Sequence, residues 1–472
     1  MPLSRRNSAR LGVCVREGPT EKPQRIPLND EDARILALET GPIRGHTLKV
    51  LVLEDTGDPV SIGDLRQQLA ERLSLEERWR KRLVPEPSAL SGLAWELDPD
   101  FTVARHVEGV EVDGALDDDG LGVVIASAMR EPLARDRPLW TVRVVPRLAD
   151  GRSAVLWKVH HCFADGSTVM RAGPRLLWSE EQPAAPGRLP ASPVPMSTKR
   201  PASGARLVRV LGYRGLFVRE FRRVWGPSPL AGEVGPERAA AWIRCDLAAA
   251  REAGAAVRPH ATINDVVLAA VSGSLRGWLL ARGLPPSVMK AQVPVSMHAV
   301  GGDERDGNRD SFLQVRLPIR EPDPVARLEA VARATRRRKN RQDARAIYAL
   351  RDSLSRAPAA VQRRIKHVVQ GPHEYSLSVS NVPGPRGPIS VLGRHVEALY
   401  SFAEVAPDHG LRIAAVSLEG GLYLGMLADP RLVPAVGALA RGIDAEMRLL
   451  RERVAVSGIR SSEHRGLHQR GK

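Results

Sequence analysis

Apolar residues recur along this chain in two patterns, one at alternate positions or in short unbroken runs, the other every three to four residues. The first pattern predicts strands at 46–54, 82–84, 95–97, 141–145 and 154–157 in the first half. In the second half it predicts strands at 240–245, 292–296, 312–318, 376–385, 396–401, 411–418 and 422–428. The second pattern predicts helices between them. Asn29 or Asp30 caps a short one through Ala33, Ile35 and Leu36, and residues 61–75 carry Ile62, Leu65, Leu69 and Leu73 on one face. Further helices are expected at 121–129, at 325–346, and at 433–452. A strong one begins at Thr262, which has capping-box spacing to Asp265, and buries Val267, Val271, Leu275 and Trp278. Pro138 fixes the start of the 141–145 strand, and Trp140 is expected as a large buried anchor. His106 lies alone in a strand-like segment and is expected to be structural.

The pattern breaks at residues 181–203, which are rich in Pro, Ala and Ser and make the best boundary in the chain. The expected organisation is a basic arm at 1–25, an N-terminal domain at 26–180, a linker at 181–235, a C-terminal domain at 236–455 and a tail at 456–472. Within the linker, residues 206–225 read as an amphipathic helix, with Val210, Tyr213, Phe217, Phe221 and Val224 on one stripe and arginines mainly elsewhere. Such a helix either lies on anionic lipid or docks on its own protein.

Composition adds three constraints. The net charge is +16, which favours acidic partners: nucleic acid, anionic head groups, or a phosphorylated carrier such as coenzyme A. No zinc spacing, RNA-binding aromatic signature or recognition helix is evident, so nucleic acid is not expected. Cys14, Cys162 and Cys245 are too few and scattered for a disulfide framework or a metal site, and they suit a reducing cytoplasm. Residues 1–25 lack the apolar segment of a signal peptide, and no run of about 18 apolar residues is present to span a bilayer.

The chemistry is concentrated at Trp157-Lys158-Val159-His160-His161-Cys162-Phe163-Ala164-Asp165-Gly166, which has the form His-His-x-x-x-Asp-Gly. It reads as a strand ending on two histidines, a tight turn at Asp165-Gly166, and a helix capped by Ser167. Adjacent strand residues point to opposite faces, so one histidine can face a cavity while the other faces packing. A neutral imidazole is the natural base for taking a proton from an alcohol. Asp165 can fix the tautomer of that imidazole, or tie the loop to a distant arginine. The bland alternative is a histidine pair packed at a strand end beside an ordinary Asp-Gly turn. Cys162 is expected to pack as a small apolar residue rather than act as a nucleophile. At the start of the helix after Thr262, free amides suit a thioester or pantetheine carbonyl, and Asn264 either adds a donor or simply caps. The basic run Arg336-Arg337-Arg338-Lys339 is a solvated face or a phosphate contact.

Six landmarks stand in one order: Pro27-Leu28, Pro138-Leu139-Trp140, His160-His161-x-x-x-Asp165-Gly166, Asn264-Asp265, Gly307-Asn308 and Ser380-Asn381-Val382-Pro383-Gly384-Pro385. Together they resemble the bacterial wax ester synthase/acyl-CoA:diacylglycerol acyltransferase family over roughly residues 26–455. The His-His motif alone is shared with peptide-synthetase condensation domains; the Pro-Leu-Trp, Asn-Asp and Ser-Asn-Val-Pro-Gly-Pro segments narrow the likeness. The chain departs from the family at Gly41-Pro42-Ile43-Arg44-Gly45-His46, Ser417-Leu418-Glu419-Gly420 and Tyr400-Ser401. These departures bear on acceptor choice and channel shape.

The resemblance implies an α/β (α+β) architecture, the two-domain fold of coenzyme A-dependent acyltransferases such as chloramphenicol acetyltransferase. Two mixed sheets backed by helices would enclose a solvent channel, with the His-His loop at their junction. His161 is then the expected general base, with His160 and Asp165 as supports, Gly166 permitting the turn, and Asn264 and Asp265 in supporting roles. The implied reaction is direct transfer of a fatty acyl group from acyl-CoA to diacylglycerol, a long-chain alcohol or both, with no cofactor and no metal. The implied setting is cytoplasmic, peripheral to the inner membrane or lipid bodies. Two rival functions are a condensation-type acyltransferase fed by a carrier protein and a non-catalytic lipid-surface protein. No carrier domain is fused to the chain, and His161 and Asp165 are both present, which weighs against each.

Overall fold

The computed structural model describes residues 24–89, 91–181, 228–296, 310–341 and 375–469. The arm up to residue 23, the amphipathic segment 206–225, the Gly307-Asn308 pair and residues 342–346 lie outside the described residues. In chain order the first half holds β1 (Ile26–Pro27), α1 (Asp30–Leu36), β2 (His46–Leu53), α2 (Ile62–Leu73), β3 (Lys81–Pro85), β4 (Leu93–Leu97), β5 (Val107–Gly109), α3 (Asp118–Arg130), β6 (Trp140–Val145), β7 (Ser153–His160), α4 (Gly166–Leu176) and β8 (Ser179–Glu180). The second half holds β9 (Ala239–Asp246), α5 (Leu247–Ala256), α6 (Ile263–Leu280), β10 (Met289–Ser296), β11 (Asp310–Leu317), α7 (Pro324–Asn340), β12 (Leu377–Val382), β13 (Ile389–Val391), β14 (Arg394–Ala403), β15 (Leu411–Leu418), β16 (Gly421–Ala428) and α8 (Val436–Gln469).

These strands build two large mixed sheets and a small three-stranded one, β1-β4-β3. The first large sheet runs β5-β6-β7-β2-β14-β13-β8, and the second runs β11-β10-β12-β15-β16-β9. Parallel pairs occur at β5–β6, β10–β12 and β12–β15, and the remaining neighbours are antiparallel. β2 and β7 are buried along their whole length, which is why they read as nearly continuous apolar runs. Trp79, Trp140 and Trp157 cluster beneath the first sheet, and the Trp140 indole donates to the Trp79 carbonyl at 2.8 Å. The anchor expected of Trp140 is thus in place. His106 stacks on Trp140 at 4.3 Å and bonds its carbonyl, a structural role, although it follows a 3-10 turn rather than sitting in a strand.

The chain does not divide cleanly at the Pro-rich segment. β13 and β14 leave the C-terminal half and join the N-terminal sheet, with Leu399, Tyr400 and Ser401 pairing with Leu51, Val50 and Lys49. A cut at 181–235 therefore misses the strands that weld the halves together, because composition reports linkers and not pairing partners. The two sheets meet where β14 crosses β16. A side chain at Gly425 would overlap the Ser401 carbonyl, so only glycine permits that approach. Helix α8 continues through Gln469, so the segment expected as a tail from 456 is helical over most of its length.

Candidate active site

β7 ends on His160, and the chain turns through His161–Phe163 into α4. The turn is held on three sides. The His161 amide donates to the Gly45 carbonyl at 2.8 Å, the Phe163 amide donates to the His160 carbonyl at 2.9 Å, and the Arg78 guanidinium donates to the Phe163 carbonyl at 2.7 Å. Asp165, not Ser167, is the cap of α4: its carboxylate accepts the Thr168 amide at 2.6 Å and the Ser167 hydroxyl at 2.9 Å. A carboxylate beside a helix start is doubly favoured, by the free amides and by the helix dipole. Burial acts to raise the pKa of Asp165, but the Thr168 amide and the His161 ring outweigh it and hold it below the usual value.

The alternation expected of the two histidines is present. His160 is 1% exposed and faces packing, with its ring edge-on to His46 at 5.8 Å. His161 points the other way, onto the wall of a cavity of about 730 Å³. From the first sheet this wall takes Lys49, Ser401 and the Asp165–Ser167 turn; from the second it takes Gln292, Ser380, Asn381 and Arg412. α1 adds Ile35, with Leu38 just beyond it, and Val405 and Pro407 extend the apolar lining. The cavity thus lies between the two sheets with the imidazole at the junction.

Burial, then the charge of Arg412, pulls the His161 pKa down to about 4, against the opposing pull of Asp165. The ring is therefore neutral and able to accept a proton at neutral pH. This fixes an expected pH profile. A base with an ordinary imidazole pKa loses activity below about 6.5, whereas here kcat/KM is expected to stay level from pH 8 down through pH 6. An inflection near pH 6.5 in initial rates would show that His161 is not shielded in this way.

Lys49 is one of the residues that the pattern does not reveal. It interrupts an apolar strand, is 1% exposed, and donates to the Ser401 hydroxyl at 2.6 Å. Burial lowers its pKa to about 8, and the Asp165 charge resists that shift. The cation standing by the motif's aspartate is thus a lysine on β2, the strand paired directly with β7. A further charged pair flanks the cavity: Glu404 on its wall accepts from Arg238 at 2.8 Å, with both side chains buried. Gly166 faces Val382 of the Ser-Asn-Val-Pro-Gly-Pro segment, where an added side chain would come within 3.3 Å. Gly384 of that segment passes so close to the Ser417 carbonyl that a side chain would overlap it.

Asn264 and Asp265 are placed elsewhere. Asp265 completes a reciprocal capping box with Thr262, its carboxylate accepting the Thr262 amide at 2.8 Å. Asn264 is the residue before it in that first turn, and its side-chain oxygen is buried without a hydrogen-bond partner among the described residues. Neither residue lines the cavity. Cys162 is buried and its thiol is pushed up by burial, as suits a packing residue. Among the described residues no cluster of three His, Cys, Asp or Glu side chains is arranged to hold a metal.

Two mixed sheets thus enclose a cavity that carries the neutral His161 imidazole on its wall. Comparison with known proteins identifies the family. Residues 28–267 match the wax ester synthase/diacylglycerol acyltransferase catalytic domain, and residues 306–451 match the C-terminal domain of the same family. The chain belongs to the wax ester synthase/diacylglycerol acyltransferase family. It is 32% identical over 417 residues to a Mycobacterium tuberculosis protein named "Probable diacyglycerol O-acyltransferase tgs1", covering 81% of this chain and 86% of that one. Its fold is similar to that of the wax ester synthase/diacylglycerol acyltransferase of Marinobacter aquaeolei VT8, with a TM-score of 0.67 at 22% identity, over 91% of this chain and 100% of that one. The first condensation domain of the calcium-dependent antibiotic synthetase shares the fold more distantly, with a TM-score of 0.56 at 16% identity, over 92% of this chain and 96% of that one.

Proposed function

We propose that this chain transfers a fatty acyl group from acyl-CoA to the hydroxyl of diacylglycerol, of a long-chain alcohol, or of both. The observation that carries it is the neutral His161 imidazole on the wall of a cavity between the two sheets. In the reaction the acceptor hydroxyl gives its proton to a ring nitrogen of His161 as its oxygen bonds to the thioester carbon. The tetrahedral intermediate collapses with cleavage of the carbon–sulfur bond, and the imidazolium returns the proton to the departing thiolate. Atoms and charge balance with the two substrates alone, so the chemistry calls for no covalent acyl-enzyme, metal or cofactor. Developing negative charge on the carbonyl oxygen would sit among Lys49, Arg412 and the polar wall, in a site where such charges act strongly. His160, Asp165 and Gly166 hold the loop in place, whereas Asp265 caps its own helix away from the cavity.

The setting we propose is the surface of the inner membrane or of lipid bodies on the cytoplasmic side. Among the described residues no helix is long and apolar enough to cross a membrane. What supports peripheral association is the charge of +16, the exposed Arg336, and the exposed Arg337 and Lys339 in the last turn of α7, where cations also suit the helix dipole. The test is product analysis with labelled acyl-CoAs of several chain lengths, offered diacylglycerol or hexadecanol in vesicles with and without anionic lipid. Triacylglycerol or wax ester is expected, formed faster on anionic vesicles. Ester formation only from an acylated carrier protein would replace acyl-CoA as donor, and vesicle binding without any ester would remove the catalytic assignment.

A further inference from the structure

We propose that Glu39 is a positioning residue for this reaction, acting as a tautomer lock on His160 and so on the backbone that presents His161. The proposal rests on His161 being the base, and it assigns a role to a residue outside the His-His motif.

The argument starts from the two ring nitrogens of His160. Nδ1 accepts the Cys162 amide at 3.1 Å, a bond that spans His161 and closes the turn carrying it. Nδ1 can accept only if it is unprotonated, so the ring proton must reside on Nε2. Nε2 lies 2.9 Å from the Glu39 carboxylate, which takes that proton as a hydrogen bond. The carboxylate is itself held by an ion pair with Arg135. Burial, reinforced by the Arg135 charge, brings the His160 pKa down to about 3, so the ring stays neutral and the pattern of one donor and one acceptor persists.

Without Glu39 the ring loses its carboxylate acceptor at Nε2 and is left with the backbone hydrogen bond to Arg44, so this tautomer is held less firmly. A proton moved to Nδ1 would confront the Cys162 N–H, donor against donor, and the turn would lose the bond that spans His161. The same segment grips the second histidine as well. Gly45 accepts the His161 amide, and it adopts φ of +65°, where an added side chain would come 3.0 Å from His160 Nε2. Residues 39–45 therefore hold the first histidine by its side chain and the second by its backbone. Displacing a base by about an ångström can cost of the order of a hundredfold in rate without altering ground-state binding.

The experiment compares Glu39→Ala, Glu39→Gln and His161→Ala in the full chain, with kcat, both KM values and thermal midpoint measured for each. Glu39→Ala is expected to lower kcat about tenfold or more, with both KM values within about twofold and the midpoint near that of the unaltered chain. Glu39→Gln is expected to recover most of kcat, because its amide oxygen still accepts from Nε2 while Arg135, on the surface, turns to water. Unchanged kcat in Glu39→Ala, equal loss in both Glu39 variants, or a loss that tracks the unfolded fraction would each overturn the proposal. If those results come with an inactive His161→Ala, only the lock fails; an active His161→Ala would remove the base itself and the lock with it.

Discussion

Replacing His161 with alanine is expected to lower kcat about 10²–10⁴-fold while the KM for acyl-CoA changes little. The expectation follows from where the ring sits. It faces the cavity rather than the core, so its loss leaves solvent-filled space and not a packing void, and thermal stability should hold. The turn beneath it is fastened through backbone groups of Gly45, His160 and Phe163, none of which needs the imidazole. What disappears is the motif's imidazole on the cavity wall, which is neutral at pH 7 and can take a proton. Asp165→Asn provides the contrast. Asparagine caps a helix about as well as aspartate, so α4 should persist, while the charge opposite Lys49 and beside His161 is lost. A smaller fall in kcat is expected there, with the pKa of the His161 base lowered further. Single-turnover assays with labelled acyl-CoA separate the two variants. Near-normal turnover in His161→Ala would refute the general-base assignment whatever else the fold does.

Much of this site was legible in the sequence, for a physical reason. A strand that ends on two histidines must send them to opposite faces, and a short turn closed by Asp-Gly must bring the next helix close by. The periodic helices at Leu65-Leu69-Leu73 and at Val267-Val271-Leu275 lie where the apolar spacing placed them, and Trp140 is the anchor its neighbourhood suggested. What pattern could not show is pairing. Nothing in Val396–Ser401 marks it as belonging to the first sheet rather than the second; its register with β2 is decided by tertiary fit. Glu39, Lys49, Glu404 and Arg238 were missed together, since their partners are distant in the chain. Lys49 carried a usable signal, because a lysine inside a strand that is apolar on both sides must be buried and compensated. Arg238 carried none: it looks like one arginine among many until its side chain is found sealed against Glu404.

That sealed pair yields the second large effect. Arg238→Met is expected to destabilise the chain by about 3–5 kcal/mol at pH 7, since removing one partner leaves an uncompensated charge in the interior. The Arg238 guanidinium donates not only to Glu404 but also to the carbonyls of Gly235 at 2.7 Å and Pro42 at 2.9 Å, so the segment before β9 and the loop before β2 lose their tie as well. The pH dependence distinguishes charge from packing. Burial raises the Glu404 pKa and Arg238 opposes that rise, so in the variant the carboxyl should rise further. A carboxyl whose folded pKa lies above its unfolded value contributes stability at low pH that is lost as pH rises through the folded pKa. The deficit of Arg238→Met should therefore be greatest at pH 7 and shrink as pH falls toward 5, and Arg238→Met combined with Glu404→Gln should recover part of it at pH 7. Denaturant midpoints of the three chains at pH 7 and pH 5 provide the measurement. A deficit equal at both pH values, with no recovery in the double variant, would mean that lost packing and carbonyl contacts, rather than the stranded carboxylate, set the cost.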